Sequence, residues 1–371
     1  MVASNEEHEG RPCGIVCPSL EKLCAGLDMA CNSFETAVRI QRQLESSVAD
    51  TGEVLEQWGD AETSIMQVLI DSAQGKGGQK RWTCPDPAVV QGVWKRCWNA
   101  CTRYEEALSC PMSLGSDKDT YLSLSRTITE FLDWFLPPSI PPEDQPFVCA
   151  HGIDVGSLLQ KGTAGAQVVV GLDPQSGDGM IALAELQGLE ARALMLQKEG
   201  LAEMAKTVEA ISTAKQAVNL SRDDAEVWAT AGEIMLERGR QILLRSQAAE
   251  MSVVLKHWGE ARVAATNILQ EAHAYFGQAA ILDPSEPSLP YNMACTMAIT
   301  NNPEGCTDAL REFGRRTHQL CAGTPGSARE ALVAAMKAAL EELRADQDFD
   351  GVREAGWFVA EMKRFHDFLT A

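Results

Sequence analysis

Apolar side chains recur at steps of three and four residues along much of the chain. One series is Leu20, Cys24, Leu27, Cys31, Phe34 and Val38, and another is Val90, Trp94, Cys97, Cys101, Tyr104 and Leu108. This spacing places the apolar residues on one face of an α-helix. The pattern predicts an all-α protein whose helices pack through these faces.

The first 136 residues are predicted to form four amphipathic helices, at approximately 19–50, 52–73, 87–110 and 117–136. Pro87 suits the first turn of the third helix, because a residue there needs no backbone N–H partner. We therefore expect a helical bundle domain over 1–136.

The segment PPSIPPEDQP, which begins at Pro137, marks a boundary because proline cannot continue a helix. The residues that follow, up to Gly179, are rich in glycine and include one β-like run, AQVVVGL. We predict a Pro/Gly-rich linker over 137–179, either an ordered crossover or a mobile segment. A second helical domain would then occupy 180–371.

The second half carries a degenerate helical repeat motif. Its residues are Trp228, Ala231, Gly232, Met235, Ala272, Phe276 and Pro284. They follow the spacing W-x2-L-G-x2-Y, A-x3-F and a closing proline, with alanine for leucine and methionine for tyrosine. Residues 180–371 thus resemble the tetratricopeptide repeat (TPR) family. The resemblance implies a short α-solenoid of antiparallel helix pairs, closed by a last helix near Trp357.

The stretch from Trp228 to Pro284 is about twice the roughly 28 residues that a 34-residue repeat predicts. The excess keeps a helical pattern. We expect both helices of this repeat to be lengthened, with the turn near Trp258 and Gly259, so that a hairpin protrudes from the array.

Three carboxylates form the main candidate for partner binding. Glu226, Glu233 and Glu237 fall within a narrow arc of a helix, opposite its packing residues. The TPR resemblance implies that this helix lines the concave face, so the arc would bind a basic segment of a partner protein. The alternative is a solvated helix face, with the partner docking on the hairpin around Trp258.

Asn292, in YNMAC, matches the asparagine with which chaperone-binding TPR proteins hold a partner's C-terminal carboxylate. The basic residues that complete such a site are not evident, because Arg329 and Lys337 have the wrong spacing. The sequence does not favour this type of site, and Asn292 could instead bridge backbone groups.

The chain contains 12 cysteines. Cys24, Cys31, Cys97 and Cys101 lie on apolar helical stripes, where a free thiol behaves as a small hydrophobe. Cys13 and Cys17, with His8 and Cys84, could hold zinc, but C-x3-C is not a standard spacing and free thiols are favoured.

The net charge of −20 argues against nucleic acid or an anionic membrane as a partner, because both would repel the chain. No apolar stretch is long enough to span a bilayer, and the acidic start does not resemble a targeting sequence. We expect a cytoplasmic protein.

Catalysis has little support in the sequence. Cys149 and His151 are close in sequence, which does not establish nucleophile–base geometry, and no cofactor or paired-histidine metal motif appears. We therefore predict a non-catalytic protein-interaction scaffold or adaptor without cofactor or metal. Two alternatives stay open: a fixed subunit of a large assembly, and a ligand-binding protein or enzyme with an N-terminal pocket rich in tryptophan. The tryptophans concerned are Trp58, Trp94, Trp98 and Trp134. Because they lie on apolar stripes, we predict that they are core residues.

Overall fold

The computed structural model describes residues 18–43, 48–74, 86–110, 114–137, 152–249, 255–324 and 346–370, with a few positions between 329 and 344. These residues are helical and contain no strand, which confirms the all-α prediction. The helices are α1 (Pro18–Gln43), α2 (Val48–Gln74), α3 (Pro87–Leu108), α4 (Leu114–Phe135), α5 (Val155–Leu172), α6 (Gly177–Leu196), α7 (Gly200–Leu220), α8 (Ala225–Ala249), α9 (Leu255–Leu282), α10 (Ser288–Ile299), α11 (Pro303–Gly323), a 3₁₀ helix (Gln347–Phe349) and α12 (Gly356–Thr370).

The four helices predicted in the first half are present. The first ends at Gln43, several residues before its predicted end, and α3 opens with Pro87 as expected. Asp86 caps α3, since its side chain accepts the N–H of Ala88 at 2.7 Å. The cap satisfies one of the backbone donors that a helix start leaves without an internal partner.

Within the predicted linker over 137–179, residues 155–172 form the helix α5, so this part is an ordered element rather than a mobile segment. The glycines that suggested a linker lie where α5 approaches its neighbours. A Cβ at Gly162 would lie 2.9 Å from the Leu186 side chain, and one at Gly165 would lie 2.7 Å from Ser125 Oγ. Glycine here permits close helix packing rather than a break.

The helices follow one packing rule along the chain. Each helix from α1 to α11 contacts the next one, and the even-numbered helices α2, α4, α6, α8 and α10 also contact one another in order. Odd-numbered helices do not pack on one another in the described residues, although a side-chain bridge from Lys215 to Glu271 joins α7 to α9. The even-numbered helices therefore line the inner side of a curved stack, which is the arrangement of an α-solenoid.

The hydrophobic core does not divide at the predicted linker. A single buried cluster extends from Met66 in α2 to Ala193 in α6 and includes residues of α5. The helices predicted to form a separate bundle thus share a core with the first helix of the region that resembles TPR repeats. The repeat-like packing extends beyond the half in which the motif was found.

The TPR motif residues pack as the motif implies. Phe276 is fully buried, and a Cβ at Gly232 would lie 2.8–3.0 Å from three of its ring atoms. The ring of Trp228 meets Tyr275 edge to face at 5.0 Å. A similar pair joins α2 to α3, where a Cβ at Gly59 would lie 2.5 Å from the Tyr104 ring.

The long hairpin is present, with 25 residues in α8 and 28 in α9. The predicted position of its turn is wrong: α8 ends at Ala249 and α9 begins at Leu255, so Trp258 and Gly259 belong to the first turns of α9. Hydrophobic periodicity does not locate a turn between two helices that both continue the pattern.

The C-terminal residues close the stack. Phe349 is fully buried and lies 5.3 Å from the ring of Phe358, while Phe365 lies 5.3 Å from Phe313 of α11. Within the described part of the chain, no helix has both the length and the apolar character needed to cross a membrane.

Candidate docking surface on the inner helices

Charged residues connect the inner helices α4, α6 and α8. Arg126 of α4 lies 3.5 Å from Asp178 of α6, and Arg192 of α6 lies 2.9 Å from Asp133 of α4. Arg192 also lies 2.6 Å from Glu237 of α8. Each of these contacts crosses from one inner helix to the next, so the inner surface is an electrostatically coupled unit.

Arg192 is the centre of this network. Its side chain is only 5% exposed, and it donates to the backbone carbonyls of Asp133 and Leu136 at 3.2 and 3.3 Å. These carbonyls lie at the end of α4, where the helix dipole favours a cation. Burial acts to lower the pKa of Arg192, but Glu237 and Asp133 raise it above its usual range. Arg192 therefore remains charged and joins three helices.

The structure places Glu237 inside this network rather than on an open acidic face. It is 20% exposed and contacts both Arg192 and the buried Arg238, the latter at 3.1 Å. Burial acts to raise its pKa, but the two arginines lower it to about 2. The expectation that Glu237 faces away from packing contacts is wrong, because Arg192 reaches it from a neighbouring helix.

Glu226 and Glu233 are exposed, as the helical geometry predicts. Asn292 of α10 donates its Nδ2–H to Glu233 Oε1 at 3.0 Å. The asparagine thus contacts a carboxylate of its own chain. Its predicted role in partner binding stays a prediction.

Glu185 of α6 was not identified from the sequence, although it is a single acid within an apolar run. It is half-buried and faces Glu233 and Glu226 of α8 and Asp133 and Arg126 of α4. Burial, and then repulsion by Glu233 and Asp133, raises the pKa of the Glu185 carboxyl to about 8. The inner surface therefore holds a carboxyl group that retains its proton near neutral pH. We call Glu185, Glu226 and Glu233 the acidic inner cluster.

Several predicted residues lie outside the described part of the chain. They are His8, Cys13, Cys17, Cys84, Cys149 and His151. Trp258 lies in α9, but its side chain is also outside the described set. The zinc, Cys–His and hairpin-docking hypotheses are therefore untested.

The predicted buried thiols are confirmed at three positions. Cys31, Cys97 and Cys101 are 6%, 0% and 1% exposed, and all three are free. Burial, helped by nearby Glu62, raises the pKa of Cys31 to about 11. The Cys31 thiol is therefore protonated and poorly reactive at neutral pH. The Cys24 side chain lies outside the described residues.

The four N-terminal tryptophans do not converge on one pocket. Trp58 and Trp134 are buried, and Arg103 lies 3.8 Å above the Trp58 ring. Trp94 and the half-exposed Trp98 line a surface pocket of about 430 Å³ between α3 and α5. The prediction that all four are core residues is thus wrong for Trp98.

The polar groups of this pocket already have partners. Lys161 pairs with Glu105 at 2.7 Å, and Asp154 accepts the N–H of Ser157 as the cap of α5. Neither side chain requires a ligand to satisfy it. The polar groups of this pocket therefore do not favour the hypothesis of a ligand-binding protein.

One group in the described residues has a composition suited to a metal. The ligand atoms of Cys295, Asp346 and Asp348 lie within 4.8 Å of one another, and all three residues are buried. Arg240 lies 3.2 Å from Asp348, and the Tyr291 hydroxyl donates to Asp346. These contacts give the carboxylates a cation and a donor from the protein, so the group anchors the 3₁₀ helix to α8 and α10.

No protein-family model matches the chain, and no curated protein matches it. Among solved structures, YrrB, a TPR protein with an unusual peptide-binding site, is 14% identical, with 73% of this chain and 97% of that chain covered and a TM-score of 0.32. The S. pombe nuclear import adaptor Nro1 is 13% identical, with 99% and 98% covered and a TM-score of 0.35. The human IFIT1 dimer with m7Gppp-AAAA is 11% identical, with 94% and 87% covered and a TM-score of 0.26. At TM-scores below 0.5, these likenesses carry no assignment of fold or function.

Proposed function

We propose that the protein is a non-catalytic interaction adaptor that binds a basic segment of a partner protein on its inner helices. The acidic inner cluster carries the proposal. Glu185, Glu226 and Glu233 face one another across α6 and α8, whereas Arg192 is held by Asp133 and Glu237. A lysine or arginine side chain placed between α6 and α8 would relieve this repulsion.

This arrangement links docking to protonation. A cation beside Glu185 lowers the pKa of its carboxyl group, so binding releases a proton near neutral pH. Binding should therefore tighten as the pH rises towards about 8. A partner that docks elsewhere on the array would show no such dependence on Glu185.

The test uses the full chain as bait for a random-peptide phage library. We expect the selected peptides to be rich in lysine and arginine, with an affinity that falls with added salt. Calorimetry in buffers of different ionisation enthalpy should detect proton release on binding. Reversal of two exposed acids, Glu226→Lys with Glu233→Lys, should slow association.

The matched control reverses two acids on outer helices, Glu260→Lys on α9 with Asp308→Lys on α11. It makes the same change in net charge away from the inner surface. Glu237 is left unchanged because a lysine there would lie between Arg192 and Arg238. Equal loss of affinity in the two double variants, or selected peptides without basic residues, would contradict the proposal.

A further inference from the structure

The first half of helix α7 exposes apolar side chains and buries polar ones, whereas its second half buries mainly alanine and valine side chains. Leu201, Met204 and Val208 are 89%, 63% and 64% exposed, whereas Glu203 and Thr207 are buried. At 100° per residue the three apolar side chains share one face, roughly opposite the buried residues. A surface helix normally shows the reverse pattern. We call Leu201, Met204 and Val208 the α7 face.

No other helix in the described residues covers this face. Helix α7 packs on α6 and α8 and does not pack on α5. Its salt bridge to α9, between Lys215 and Glu271 at 2.7 Å, lies beyond the α7 face, towards the end of the helix. As an odd-numbered helix it belongs to the outer side of the stack. An exposed apolar strip of this kind is characteristic of a contact surface.

Lys206 offsets part of the negative charge at the edge of the α7 face. Lys206 lies 3.0 Å from both Glu190 and Glu209, and Gln187 donates to Glu209 at 2.9 Å. The protein as a whole carries a net charge of −20, which opposes self-association elsewhere on its surface. At the α7 face Lys206 reduces this repulsion.

The α7 face also complements itself. If two α7 helices cross antiparallel about a two-fold axis beside Met204, Leu201 of each copy meets Val208 of the other. Ala202 and Ala205, both exposed, allow the helices to approach closely. Each end of the contact then brings Lys198 and Glu199 of one copy towards Lys206 of the other, with its partners Glu190 and Glu209, so that opposite charges meet across the contact.

From these features we propose that the α7 face is the interface of a homodimer with two-fold symmetry. The contact is isologous, with the same surface used by both copies. Because it lies on the outer side, the inner helices of both copies stay accessible. The dimer would be bivalent, which raises the avidity for a partner with two docking segments.

The experiment measures the mass of the full chain by sedimentation velocity over a wide range of concentration. We expect the wild-type mass to rise from one chain to two. Met204→Glu should remain a single chain at every concentration, because the new carboxylate lies beside its own symmetry mate. Met204→Leu should still dimerise. Ile281→Glu, which replaces a 73% exposed apolar residue on α9, is the matched control and should also dimerise.

A charge-swap experiment tests the symmetry of the contact. Met204→Glu and Met204→Lys should each be monomeric alone, and an equal mixture should recover the dimer, because opposite charges then meet at the axis. A wild-type protein that stays monomeric, or a dimer that survives Met204→Glu, would overturn the proposal. A mixture that stays monomeric would overturn the placement of the axis. Thermal unfolding of each variant confirms that the fold is retained.

Discussion

The Glu185→Gln variant tests the central claim about the inner surface, that one carboxyl group keeps its proton near neutral pH. The folded pKa of Glu185 is about 8, compared with 4.5 for an ordinary glutamate. The folded state thus binds this proton more tightly than the unfolded chain does. The contribution of Glu185 to the free energy of unfolding is therefore fully present below pH 4.5 and is lost as the pH rises towards 8.

The size of the effect follows from the difference between the two pKa values. A difference of roughly 3.5 corresponds to about 5 kcal/mol, at about 1.4 kcal/mol per pH unit. Glu185 is only half-buried, and salt screens its repulsion with Glu233 and Asp133, so we expect about 2 kcal/mol in buffer. Glutamine has the shape of protonated glutamate and carries no charge at any pH.

The assay is urea unfolding of the wild type and of Glu185→Gln at several pH values. The two proteins should have similar stability near pH 4.5, and the variant should be more stable by about 2 kcal/mol above pH 8. Glu260→Gln, at an exposed position on α9, serves as the control and should show no such divergence. If the stability difference between Glu185→Gln and the wild type is the same at both pH values, Glu185 is ionised at neutral pH and the reasoning fails.

Four further predictions concern packing and charge. Gly232→Ala should lower the free energy of unfolding by about 1–3 kcal/mol because its Cβ would meet the Phe276 ring. Gly277→Ala, which has open space around it, should stabilise its helix slightly. Urea unfolding compares the two variants. In the same assay, Trp228→Ala should lower the free energy of unfolding by about 2–3 kcal/mol, which is less than the loss expected for a fully buried tryptophan. An unchanged unfolding midpoint would contradict its packing role. Glu237→Ala should lower the free energy of unfolding by about 3–5 kcal/mol, because it leaves Arg192 and Arg238 without their shared carboxylate. Glu233→Ala should lower it by only about 0–1 kcal/mol. Equal losses of stability in the two variants would refute the buried network. Cys31, Cys97 and Cys101 should react slowly with a thiol reagent until denaturant is added, as followed by mass spectrometry of the labelled peptides.

The sequence was most informative where local pattern determines structure. Steps of three and four between apolar residues identified the helices of the first half, and the Gly232–Phe276 spacing identified a close helix pair that the structure contains. These signals depend on residues within one helix or one hairpin. They do not depend on which distant helix lies alongside.

The errors arose where a distant helix decides the outcome. Gly162 and Gly165 suggested a linker, but their role depends on the approach of Leu186 and Ser125. The position of Glu237 on its helix was predicted correctly, but Arg192, which contacts and buries it, lies on another helix. Glu185 is a single acid in an apolar run, a signal that marks it for attention, but its raised pKa depends on Asp133 and Glu233.

The contacts of Arg192 also determine how the inner surface responds to a partner. This side chain bonds to the end of α4 and to Glu237 of α8 while belonging to α6, so it fixes three neighbouring helices relative to one another. A surface held in this way loses little conformational entropy when a ligand binds. The ordering cost of association falls on the partner segment, and affinity should respond more to the stiffness of that segment than to changes in the array.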